Sequence, residues 1–102
     1  MIDKTTALSS VLRKLKTLPV GHCIDLRTYK RNRSLLILHY QNEKFIIYEE
    51  GYESIEHTVK LKEMRKALKN LFKIEFPRSN KIRMYELGEY NDSMRERALK
   101  KL

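Results

Sequence analysis

The chain holds a single cysteine, Cys23, which rules out an intrachain disulfide and any zinc site built on paired cysteines. A buried small hydrophobe is the reading that fits it. Three glycines occur and never cluster, so no phosphate-cradling loop is encoded. His22, His39 and His57 are scattered, with no pair at the i,i+4 spacing of a zinc-binding helix. No apolar run approaches the ~20 residues of a transmembrane helix, and the opening MIDKTTAL lacks the apolar core of a signal peptide. These absences lead to the expectation of an intracellular protein that does not associate with membranes, carries no cofactor or metal, and is no enzyme.

Positive charge is plentiful: 22 Lys+Arg stand against 13 Asp+Glu, a formal +9 over 102 residues. The excess favours anionic partners. A Lys/Glu-heavy, cysteine-poor balance also suits a protein from a very hot environment, where surface charge serves stability. The length is one domain's worth, enough for a modest core without staples.

The stretch from Thr58 to Leu87 organises the rest. Leu61, Met64, Leu68, Leu71 and Phe72 recur at steps of three and four, one face of a helix with Thr58 as its cap. Lys62, Lys66, Lys69 and Lys73 fall on the opposite side, in water. After Phe72 the period changes to two: Ile74 and Phe76, a turn at Pro77–Asn80, then Ile82, Met84 and Glu86. That switch predicts a β-hairpin after the helix.

Upstream, Leu8, Val11, Leu12, Leu15 and Leu18 predict a first helix, ended by Pro19 and Gly21. Strands are predicted at His22–Thr28, Ser34–Tyr40 and Lys44–Glu49, joined by the basic turn Tyr29–Arg33 and the tight turn Gln41–Glu43. Connections this short make an antiparallel meander. Glu49–Glu56 reads as an acidic connector. Ser93 and Glu96 have capping-box spacing, which predicts a short helix at the C-terminus.

Two copies of one unit are suggested by the octamers Val11–Leu18, Met64–Leu71 and Arg95–Leu102, each with Leu-Lys at the fifth and sixth places and Leu at the eighth. Ile24-Asp25-Leu26 and Ile74-Glu75-Phe76 follow the first two as apolar-acid-apolar. The expected fold is α+β: a single domain over 1–102 in which two similar helix/β-hairpin units, 1–56 and 57–102, pack about a pseudo-twofold. A hairpin-then-helix phase, 22–72 and 73–102, fits equally. In size, basic Lys/Glu-rich composition, near-absence of cysteine and a compact repeated α/β unit, the chain resembles the small proteins of filamentous viruses that infect hyperthermophilic archaea. The resemblance covers nearly the whole chain and rests on no specific motif. It implies a non-enzymatic protein, with the host cytoplasm as its compartment, and assigns no residue a role.

Two functions are expected from different classes. The first is recognition of a protein or peptide in a groove between the two units, by strand addition, with Phe45, Ile47 and Met84 as pocket liners; identical edges could instead pair two copies into a homodimer. The alternative is nucleic-acid binding through two cationic hairpin tips, Lys30, Arg31 and Arg33 on one and Arg78, Lys81 and Arg83 on or beside the other. No helix-turn-helix, RRM or zinc-finger pattern accompanies those tips.

Overall fold

In a computed structural model of the chain, residues 2–27, 34–50, 54–76 and 81–90 are described. The run Leu35–Leu38 has no polar side to turn to water, so its strand must be covered on both faces. It is: Leu35 and Ile37 on one face and Leu36 and Leu38 on the other are all buried, and β3 (Ser34–Gln41) is paired along its two edges with β2 (His22–Arg27) and β4 (Lys44–Glu50), each antiparallel to it. A two-residue turn joins Gln41 to Lys44, with Glu43 in the left-handed region at φ 59°. The meander continues into β5 (Ser54–Lys60), paired along its whole length with β4.

A 3-10 turn (Leu61–Glu63) then leads into α2 (Met64–Glu75), and the chain returns as β6 (Lys81–Glu89) on the far side of β2. At the start of the chain, β1 (Ile2–Asp3) adds two residues to the outer edge of β6 before α1 (Lys4–Thr17). The sheet order is β1-β6-β2-β3-β4-β5 and every neighbouring pair is antiparallel. The fold is α+β.

Both helices lie on one face. Ala7, Val11, Leu12 and Leu15 of α1 and Met64, Leu68, Leu71 and Phe72 of α2 meet Ile24, Leu26, Leu35, Ile37, Phe45, Ile47, Val59 and Ile82 of the sheet in one core. The opposite face carries a smaller apolar cluster, Cys23, Leu36, Leu38 and Tyr48, with Tyr90 stacked on Tyr48. Gly21, at φ 92°, closes the turn after α1; its N–H donates to the His39 carbonyl and its own carbonyl accepts from Tyr90. A positive φ of this size needs glycine.

The first helix, the three meander strands and the tight turn before Lys44 lie close to where the sequence predicts them, and the predicted basic turn Tyr29–Arg33 lies outside the described residues. Three expectations do not hold. Glu49–Glu56 is not a connector: Glu49 and Glu50 end β4, and Ser54–Lys60, with Thr58 inside it, forms a fourth strand in place of a helix cap. Nor does Ile74 start a hairpin, because Ile74 and Glu75 belong to α2. Phe72 and Phe76 stand one helical turn apart with ring centroids 5.5 Å apart, both buried, and this pair carries the chain through Ile74 as helix. The expected repeat is accordingly not confirmed: among the described residues α2 is followed by one strand that pairs with β2 and β1, not by a hairpin of its own. The expected helix after Ser93 lies outside the described residues.

The revised place of Ile74 has a direct test. Its side chain is 55% exposed, whereas Leu68 is fully buried. Ile74→Ala is expected to stay within about 0.5 kcal/mol of the parent in urea unfolding, while Leu68→Ala loses about 2–5 kcal/mol. A large loss at Ile74 would instead fit a core strand there.

Candidate nucleic-acid interface

The register of the sheet lines up side chains across strands. On the face away from the helices, Arg83, Arg27, Ser34, Glu50 and Ser54 form one row through all five long strands. The next row is Tyr85, Asp25, Leu36, Tyr48 and Glu56. Asp25 and Arg27 share a face because they stand two apart on one strand. Arg27 Nε donates to Asp25 Oδ2 at 2.5 Å, with both side chains nearly excluded from water. Ser54 donates to Glu50 Oε2, also at 2.5 Å. The Arg27 Nη1 and Ser34 Oγ are buried with no hydrogen-bond partner among the described residues.

On the helix-covered face, Glu49 is buried and its Oε1 lies 2.7 Å from His57 Nε2 of the neighbouring strand. His39 stacks on Phe45 at 4.4 Å, and its Nδ1–H donates to the Leu18 carbonyl. That is a packing role, as its place in an apolar strand suggests. Cys23 is fully buried, and burial, with the negative charge of Asp25 adding to it, pushes its thiol up to about 11. Among the described residues no group of three or more His, Cys, Asp or Glu could hold a metal ion, and no described helix is long and apolar enough to cross a membrane.

Two electrostatic consequences follow. Asp25, Glu49 and Glu50 are all buried, so three carboxylates are withdrawn from the surface. The helices, by contrast, display cations. α1 contains no acidic residue at all, and α2 contains none before Glu75. Arg13 and Lys16 are exposed on α1; Lys14 is tied to Glu86 at 2.5 Å. On α2, Arg65, Lys66, Lys69 and Lys73 are exposed, and Lys62 is exposed just before it. At 100° per residue Lys66, Lys69 and Lys73 lie within about 60° of one another, opposite the buried stripe of Met64, Leu68 and Leu71. The row from Lys62 to Lys73 spans about 16 Å.

Of the residues expected in a groove, Phe45 and Ile47 are in the core beneath the helices, 1% and 0% exposed, and Met84 packs half-buried against the same core. A groove cannot be lined by side chains that the helices cover. Of the cationic set, Lys30, Arg31, Arg33 and Arg78 lie outside the described residues. Lys81 is exposed at the start of β6, and Arg83 is half-buried opposite Arg27. β2 ends where β6 begins, so the strand ends that flank 28–33 and 77–80 are neighbours. The C-terminus of α2 comes to the same end of the sheet, since only residues 77–80 separate Phe76 from Lys81. The chain matches no protein-family model, no curated protein and no solved structure.

Sequence reasoning placed the α2 lysines in water but gave them no role, because a charged stripe alone reads as a solvated face. What was missing was the burial of the acids, which no local pattern in Glu49–Glu56 signals.

Two measurements probe the buried face. Breaking the ion pair with Arg27→Met should cost about 3–5 kcal/mol in urea unfolding, and the double variant Asp25→Val/Arg27→Met should recover part of that loss. For Cys23, the raised thiol holds its proton in the folded state, so the stability it lends is present below about pH 9 and fades as pH rises toward about 11. Native protein at about pH 8 should therefore resist alkylation at Cys23, and denatured protein should react at an ordinary thiol rate. Rapid native labelling would contradict the burial.

Proposed function

We propose that this protein binds nucleic acid, through the cationic solvent face of its helical layer and the basic end of its sheet. The observation that carries the reading is the row Lys66, Lys69 and Lys73 with Arg65, exposed on a helix that has no acid before its last residue, extended by Lys62 in the 3-10 turn ahead of it, where Glu63 is the one acid beside the row. A polyanion with regularly spaced phosphates suits such a row, because each ammonium neutralises one phosphate and releases its counterions. Lys81 stands at the end of the sheet toward which this row runs. In sequence, Arg78 and the Lys30, Arg31 and Arg33 cluster fall in the segments 77–80 and 28–33, which adjoin the strand ends there.

The chemistry favours backbone contact over base reading. Lysine offers a mobile point charge and no planar fork for a base edge. Binding is therefore expected to be largely sequence-independent. An anionic membrane fits less well, since the apolar faces of both described helices are spent on the core, and a lone Ile74 is the exposed large apolar side chain on them.

A fluorescence-anisotropy titration with a labelled duplex and a single strand tests this. Affinity should fall steeply between about 50 and 200 mM salt, and changing Lys62, Lys66, Lys69 and Lys73 together to Gln should flatten the log–log salt slope by about 3–4. Arg31→Glu and Arg78→Glu should weaken binding further, uniformly across sequences. Absence of binding to either probe at the lower salt would end the proposal.

A further inference from the structure

β5 is the last strand of the sheet on its side: β4 takes one edge, and among the described residues no strand takes the other. Its seven residues contain no proline, no glycine and no bulge against β4. Five of them, Ser54, Ile55, Glu56, Thr58 and Lys60, are exposed. Natural sheets blunt such an edge or use it.

The charges along β5 are arranged for a copy of itself. On the face away from the helices stand Glu56, Thr58 and Lys60, alternating with Ile55, His57 and Val59 on the other. An antiparallel pairing centred on Thr58 sets Glu56 opposite the partner's Lys60, Thr58 opposite the partner's Thr58, and Lys60 opposite the partner's Glu56. Centring on Glu56 would oppose two carboxylates, and centring on His57 would pair neither charge. Opposite charges and Thr–Thr pairs are favourable directly across strands, and like charges are not.

A second observation points the same way. Inside one chain, Lys60 lies directly across the ladder from Lys44, both exposed, a like-charge pair with no salt bridge to an acid among the described residues. The partner's Glu56 would bring the missing negative charge to Lys60 from the open side.

From the register and the charges we infer that the protein self-associates through β5, in a symmetric antiparallel seam centred on Thr58. The twofold axis stands perpendicular to the sheet, so the two sheets become one and both helical layers lie on the same side. The inference is independent of nucleic-acid binding. A seam of one strand per copy buries an area at the small end of protein interfaces, so the dimer dissociates at roughly tens to hundreds of micromolar.

Sedimentation equilibrium of the intact chain, free of nucleic acid and up to about 1 mM protein, reads the dimer directly. Moderate salt should be used, because the seam also brings the cationic α2 helices of the two copies toward each other. Glu56→Lys and Lys60→Glu, each alone, set like charges across the seam and should weaken dimerisation by at least tenfold. The double variant Glu56→Lys/Lys60→Glu restores both pairs and should restore association. Thermal melts by circular dichroism establish that each variant is folded; for one that is not, Glu56→Gln and Lys60→Gln take its place and should each weaken the dimer by a smaller factor. A parent that stays monomeric throughout, or a dimer indifferent to the single charge changes, would overturn the inference.

Discussion

Everything in this fold depends on the register of the meander. Because successive side chains on a strand point to opposite faces, a slip of one residue would exchange the whole helix-facing set for the other. Leu26, Leu35, Ile24, Ile37, Ile47 and Phe45 face the helices only while Cys23 pairs with Leu38 and His39 with Phe45. The two-residue turn at Asn42–Glu43 and the glycine turn at Gly21 fix that register at one end of the sheet. Burying a side chain of this size contributes roughly 1.5–3 kcal/mol. A slip would therefore cost far more than the few kcal/mol by which a small domain is stable.

The same register decides where charge goes. Asp25 is placed two residues from Arg27 on the face that the helices do not cover, and the pair neutralises itself there. Glu50 lies across from Ser34 in the row of Arg27, and Glu49, one residue earlier, turns to the helical side and meets His57. Carboxylates that look in sequence like part of a solvated acidic connector are thus consumed inside the molecule. The cations of the helices have no such partners inside, because their opposite faces are already apolar core. Surface charge is consequently more positive than composition alone would suggest.

Much of the architecture was legible in the sequence, for physical reasons that differ by element. Leu35–Leu38 and the alternation in Lys44–Glu49 fix their strands because nothing else buries them. The two helices are legible from apolar steps of three and four with lysines opposite. β5 was not, since its two apolar residues, Ile55 and Val59, are diluted by Glu56 and His57; an edge strand draws its order from one neighbour, which a local pattern does not contain. Ile74 misled for a different reason. A residue flanked by Lys73 and Glu75, with Phe76 beyond, satisfies period two and a helix end equally, and the contact of Phe72 with Phe76 decides between them. The error at Ile74 carried with it the second hairpin, on which the expected repeat was built.

The proposed binding face was only half legible because it is a difference between two surfaces, not a constellation of residues. A lysine stripe on a helix gains meaning when the compensating acids are known to be elsewhere, and their position is set by strand register across the whole sheet. The edge at β5 follows the same logic. The sequence Ser-Ile-Glu-His-Thr-Val-Lys is unremarkable as a string, and its antisymmetry about Thr58 matters only once it lies at the border of the sheet with Lys44 on its inner side. Both features arise from where the meander stops: it ends at a strand whose charges suit a second copy, and the helix that leaves it carries its cations to the outside.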